Sequence, residues 1–238
     1  MAVKANHDIS SGLDTAFINS AINSNLAYRP EFVSNDYTQG KKVSVAIERE
    51  LRHCDAFYIS VAFITEGGLA PLKQVLAELR DKGIPGKILT TSYLTFTESK
   101  ALKTLADLSN VEVRVYNSTD EGASGFHTKG YIFKEEEIYR FIVGSSNMTA
   151  SAFSVNKEWN TKLVSTSDGE LLKQMMTEFN ALWNSEHTLA VKDFIEDYEV
   201  RYRLIKEQKK NAAKEQMVDL QAYKLQPNKM QARFVRNF

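Results

Sequence analysis

Cysteine is nearly absent. Cys54 stands alone among 238 residues, which excludes an intrachain disulfide and fits a reducing, cytoplasmic setting. Its expected fate is small buried filler where a helix meets a strand. Four scattered histidines beside it give no metal-ligand spacing, so neither a metal nor another cofactor is called for. An excess of charge is also missing: 30 Lys and Arg balance 30 Asp and Glu. Net charge therefore cannot drive binding to a polyanion, and any nucleic-acid contact needs a local basic patch. No stretch approaches the roughly 18 apolar residues of a membrane span. Near the amino end, Ala16-Phe17-Ile18 is interrupted by Asn19-Ser20 and Asn23-Ser24-Asn25, unlike the apolar centre of a secretory leader. No internal repeat or low-complexity tract is visible. The remainder, 43% hydrophobic and 25% charged, is the composition of a globular protein long enough for a sizeable core.

Hydrophobic spacing sets the organisation. Residues 13–26 predict a first helix, a loop runs from Pro30 to Gly40, and Val43, Ala46, Ile47 and Leu51 form the stripe of a second helix. The apolar run 56–62 predicts a central strand covered on both faces. Helix is expected over 69–79 with Gly83 as its stop, then strand over 87–90, helix over 98–108 and strand over 111–115. This alternation predicts an α/β sandwich, a largely buried mixed β-sheet flanked by helices, closed by 161–166. From 170 to 214 the pattern is wholly helical. Leu171, Met175, Phe179, Leu182 and Trp183 share one face, and Phe194, Tyr198 and Tyr202 form a second stripe. There, Arg201, Arg203, Lys206, Lys209, Lys210 and Lys214 would either track a phosphate backbone or, with the interleaved glutamates, belong to a solvated linker helix, the preferred reading. The expected division is a domain over 1–169, a helical extension over 170–216 and a tail over 217–238.

The chemistry concentrates between Phe126 and Trp159. His127 and Lys129 are two apart in a run that reads as a strand, which puts both side chains on one face, with Thr128, Gly130 and Ile132 on the other. Residues 138–143 read as the next strand, with Glu135-Glu136-Glu137 as the turn. The strand stops at Gly144. Ser145 and Asn147 follow at its end and lead into 148–153, the expected start of a short helix whose N–H groups favour an anion. An imidazole can attack phosphorus, an ammonium and an amide can hold phosphoryl oxygens, and the carboxylate of Glu158 can fix the imidazole tautomer. Weaker candidates for substrate contact are Ser92 and Tyr93, which follow a strand end, and Ser146. The loop 117–125 should border the site.

His127-x-Lys129 followed by Gly144-Ser145-x-Asn147 and Glu158 resembles the signature of the phospholipase D superfamily, and residues 28–166 resemble the nuclease-like domain at the amino terminus of bacterial restriction-associated helicases. The resemblance implies the superfamily's sandwich fold, with a helical carboxyl-terminal extension, and metal-independent phosphodiester cleavage. In that reading His127 is the nucleophile, Lys129 and Asn147 stabilise the transition state, Ser145 donates to phosphate or a neighbouring ligand, and Glu158 orients the imidazole. Where the full motif carries an aspartate, this chain has Lys134, which weakens a reading as a lipid-acting phospholipase. DNA is the expected substrate, with RNA left open. The alternative is a binding module that positions DNA without cutting it. Because a two-step reaction needs two imidazoles and only one such motif is present, a homodimer is expected. Finally, 224–231 resembles the segment preceding the core of superfamily 2 helicases, without the phosphate-binding loop that would follow. The expectation is an amino-terminal piece of a larger protein whose partner is a carboxyl-terminal helicase domain, with no membrane contact.

Overall fold

A computed structural model describes residues 2–19 and 21–222. Helix α1 (Ala2–Leu13) runs into a π-helical turn, Asp14–Ile18, and ends there. The helix expected over 13–26 is thereby corrected. Short polar side chains explain the break: Asn19 accepts from the Ala21 N–H and Asn25 from the Ala27 N–H, giving the backbone partners in a non-helical conformation. Strand β1 (Glu31–Val33) occupies part of the expected loop. There follow α2 (Val43–Leu51), β2 (Ala56–Val61), α3 (Glu66–Leu69), α4 (Lys73–Asp81), β3 (Gly86–Thr91), α5 (Ser99–Ala106), β4 (Val111–Tyr116), β5 (Lys129–Glu135), β6 (Ile138–Gly144), α6 (Ala150–Ser154), β7 (Asn160–Thr166), α7 (Glu170–Trp183), β8 (Thr188–Ala190) and α8 (Val191–Ala222). The wholly helical reading of 170–214 missed β8.

The eight strands form one mixed sheet in the order β1-β7-β6-β5-β2-β3-β4-β8. β2, β3 and β4 are parallel, as helical crossovers require. β5, β6 and β7 form an antiparallel meander that joins β2 through β5. Three-residue strands close both edges, so 161–166 is not the margin of the sheet.

Strand phase sends side chains to two different layers. Phe57, Ile59 and Val61 of β2 are fully buried on the face that also takes Val43, Ile47 and Leu51 of α2. Tyr58 points the other way and meets Phe179 of α7 edge-on, with ring centroids 5.7 Å apart. Ile132, Phe141 and Leu172 pack together on that side, and so do Ala62, Leu89, Tyr116, Phe126, Phe179 and Trp183. Leu172, not Leu171, is the buried leucine of α7, while Leu171 is half exposed. Cys54 is buried between α2 and β2 as expected, and burial pushes its thiol up to about 12. A first compact unit extends to Tyr198, so the boundary expected at 169 falls inside it. A second unit begins at Glu199. The helicase-like segment 224–231 lies outside the described residues.

Candidate active site

Topology brings the motif together before any side chain does. Because β5 is antiparallel to β2, Lys129 at its start pairs with Val61 at the end of β2. Gly144, the last residue of β6, pairs with Asn160, the first of β7. The start of β5, the end of β6 and the start of β7 thus share one edge of the sheet with the carboxyl ends of β2, β3 and β4. This is where open α/β sheets place ligands. Gly144 is required by the crossing: a Cβ there would lie 2.2 Å from the Trp159 carbonyl oxygen.

Each polar group is held by a short chain of bonds. The Lys129 Nζ donates to the His127 carbonyl at 3.0 Å. Burial pulls the Lys129 ammonium below the ordinary lysine value of 10.5, and the Glu158 carboxylate pulls it part of the way back. Glu158 is buried and accepts a hydrogen bond from the Ser145 hydroxyl, whose oxygen in turn accepts the Trp159 N–H at 3.1 Å. The Phe63 N–H donates to Asn147 Oδ1 at 3.1 Å, which fixes the amide orientation and leaves its N–H2 end as the donor. The exposed His127 ring packs edge-on to Phe63, with centroids 5.9 Å apart. This arrangement can present a lysine and an amide donor to a phosphoryl group beside an exposed imidazole.

Not every expected role is met within one chain. No hydrogen bond joins His127 to Glu158 among the described residues, and the Ser145 proton is given to Glu158. The Ser145 hydroxyl thus bonds the neighbouring Glu158 carboxylate. Ser146 is fully buried: its N–H donates to Asn160 Oδ1, its hydroxyl accepts from Asn160 Nδ2, and its carbonyl accepts from the Tyr131 hydroxyl. It belongs to the wall of the site, which removes it as a substrate contact. Ser92 is buried and donates to Asn117 Oδ1, whereas Tyr93 is exposed at the same edge of the sheet. The short helix α6 is capped by the Thr149 hydroxyl on the Ala152 N–H, so the anion site expected there has already lost a donor to the protein.

Sequence reasoning missed Tyr131, Asn160, Phe63 and Phe96. Tyr131 is fully buried beside the site, and burial first, then Glu158, hold its hydroxyl protonated. Its position two residues after Lys129 was the available signal, as was that of Asn160 two after Glu158. Phe63 and Phe96 meet edge-on with centroids 5.0 Å apart and carried no motif. Among the described residues, no group of three or more His, Cys, Asp or Glu side chains is placed to hold a metal ion, and no helix is long and apolar enough to cross a membrane.

Comparison with known proteins agrees with this architecture. The chain is similar in structure to NucT from Helicobacter pylori, with a TM-score of 0.52 and 16% identity over 68% of this chain and 98% of that one. It is equally similar to Nuc from Salmonella typhimurium, a phospholipase D family member, with a TM-score of 0.51 and 16% identity over the same shares. A polyphosphate kinase from Porphyromonas gingivalis superposes with a TM-score of 0.50 and 10% identity over 86% of this chain but 32% of its own. No curated protein sequence matches. The family described as "Cardiolipin synthase, PLD-like domain" matches residues 53–183, more than half of the chain. The chain belongs to the phospholipase D-like domain family.

Proposed function

We propose that the protein is a metal-independent phosphodiesterase that cuts DNA through a phosphohistidine on His127. Family membership supports phosphodiester chemistry in general. The observation that carries the specific reading is the gathering of Lys129, the oriented Asn147 amide and the Ser145–Glu158 pair around the His127 edge of the sheet. In the first half-reaction the imidazole forms a P–N bond as the P–O bond to the leaving group breaks, and a second imidazole protonates the leaving oxygen. Water then attacks phosphorus, gives its proton to that second imidazole, and the P–N bond breaks. Lys129 and the Asn147 N–H2 group hold the charge that develops on the phosphoryl oxygens. Glu158, kept in place by Ser145, orients an imidazole.

The second imidazole comes from a second copy of the chain. A symmetric homodimer would bring the two motifs together at its axis. Within one chain Glu158 has no bond to His127, so the site is incomplete until such an arrangement forms. The resemblance of 224–231 to a helicase entry segment supports a reading of the chain as the nuclease part of a cytoplasmic helicase-linked protein.

The test is incubation with labelled DNA in excess chelator. Cleavage is expected, and strict dependence on magnesium or manganese would refute the metal-free route. A folded protein that cuts nothing would favour a DNA-positioning module. Mixing with His127→Ala chains tests the shared site: activity should fall as the square of the wild-type fraction, and a linear fall contradicts it.

A further inference from the structure

Beside Asn147 and Glu158 a cleft of about 660 Å³ opens, walled also by Phe63, Phe96, Glu98 and Asn156. Its volume is that of a ligand site. Its chemistry is not that of a phosphate track. Among the described residues no lysine or arginine lines it, while two carboxylates, Glu98 and Glu158, do. A polyanionic backbone drawn through it would meet negative charge without compensation. What the walls offer is two phenyl rings in edge contact and the neutral amide of Asn156, while Asn147, whose Oδ1 takes the Phe63 N–H, turns its N–H2 group to the phosphoryl oxygens. Rings that accept stacking and amides that bond a donor–acceptor edge are what a nucleobase requires.

The rim holding Phe96 is anchored. Thr97, fully buried, donates to the Thr91 carbonyl at 3.1 Å and accepts at its own carbonyl the Tyr198 hydroxyl at 2.7 Å. Leu94 and Thr95 turn the loop through left-handed conformations, at φ 51 and 54, which side-chain-bearing residues adopt only at a cost. On this tethered, strained loop Phe96 stays 46% exposed.

We propose that this cleft is a nucleobase subsite, holding the base next to the scissile phosphate against Phe96, and that the protein therefore selects single-stranded nucleic acid. The inference rests on the phosphodiesterase reading above and names its substrate. Inside a duplex a base is stacked and paired and cannot enter such a cleft without being flipped out.

Binding is measured with a single-stranded oligodeoxynucleotide carrying 2-aminopurine and with His127→Ala protein, so that no strand is cut. Quenching of the fluorophore is expected, with the blunt duplex of the same sequence competing at least tenfold more weakly. Adding Phe96→Ala should weaken single-strand binding by about tenfold, Phe96→Tyr should retain it, and an abasic strand should bind the Phe96→Ala and parent proteins alike. Absence of quenching, equal competition by duplex, or Phe96→Ala binding as tightly as its parent would overturn the inference. Failure of the underlying reading shows separately, as wild-type protein that quenches but leaves labelled DNA intact.

Discussion

Two lysine–glutamate groupings lie in the same meander and use similar residues to opposite ends. At the start of β5, Lys129 bonds, among the described residues, only a carbonyl and senses Glu158 through space, while Glu158 is held by a neutral hydroxyl. On β7, the buried Lys162 reaches Glu31 at 2.7 Å and Glu50 at 3.3 Å. Arg49 adds contacts of 3.0 Å to Glu31 and 3.2 Å to Glu50, and Arg140 closes the network. For Glu31, burial alone would raise the carboxyl, yet the bonds and charges of Lys162 and Arg49 together hold it below the ordinary value. Burial or residue type does not separate structure from function here. Pairing does: the β7 group satisfies its charges internally, and the β5 group leaves a partly desolvated ammonium that, under the proposed function, a phosphoryl oxygen completes.

Exchanging the two lysines gives the largest expected contrast. Lys129→Met should lower kcat on DNA on the order of 100-fold to 1000-fold without lowering the denaturation midpoint. Lys162→Met removes one partner from the buried Glu50 and the partly exposed Glu31, which keep Arg49 and, for Glu50, Arg140, and should destabilise by about 1–3 kcal/mol, while the folded fraction keeps its kcat. Denaturant unfolding read beside kinetics checks both. A Lys129 variant that unfolds, or a folded and inactive Lys162 variant, breaks the comparison.

The pH profile should separate the groups next. Lys129 must be protonated to hold a phosphoryl oxygen, and burial sets it below 10.5. The alkaline limb of kcat/KM should therefore fall below the ordinary lysine range. Because Glu158 raises the Lys129 value, Glu158→Gln lowers it further and shifts that limb toward neutrality, alongside a loss of rate. The sign for stability is opposite to that of a paired lysine: a depressed folded value means that the unfolded chain binds the proton more readily, so this contribution grows as pH rises through the lowered value. An alkaline limb that Glu158→Gln leaves unmoved would separate the two residues electrostatically.

The smallest expected difference lies between adjacent serines. Ser145→Ala removes the hydroxyl that holds Glu158 and should cost about tenfold in kcat, as loss of a hydrogen bond to a charged group does. Ser146→Ala removes the hydroxyl that accepts from the buried Asn160 Nδ2, leaves the Asn160 bonds to the Val33 carbonyl and the residue 146 N–H, and should cost about 1–3 kcal/mol of stability with kcat retained. Thermal melts and kinetics on the two variants would show whether the site's wall and its surface are as distinct as their burial.

Strands β2 and β6 were legible because their hydrophobic content leaves a mark: 56–62 and 138–143 are largely apolar runs that the structure returns as β2 and β6. β1 and β8 were not, since three-residue edge strands are fixed by a neighbour's hydrogen bonds and not by their own pattern. The Asn19 and Asn25 side chains, which take local backbone N–H groups, hid the end of α1. At the site, spacing revealed which residues converge but not which partner each one takes. Ser145 and Ser146 look alike in sequence, and only strand phase and the position of Asn160 decide that one faces Glu158 and the other the interior. Phe63 and Phe96 carried no signal, because an aromatic after a strand reads as core until its exposure is known.

The covalent step on His127 is the centre of the account. A single turnover with DNA carrying phosphate label throughout, quenched by denaturation in alkali, should leave label on the protein, mapped by peptide mass to His127 and lost in His127→Ala. Cleavage proceeding with no label on the protein under any quench, or label on another residue, would contradict it.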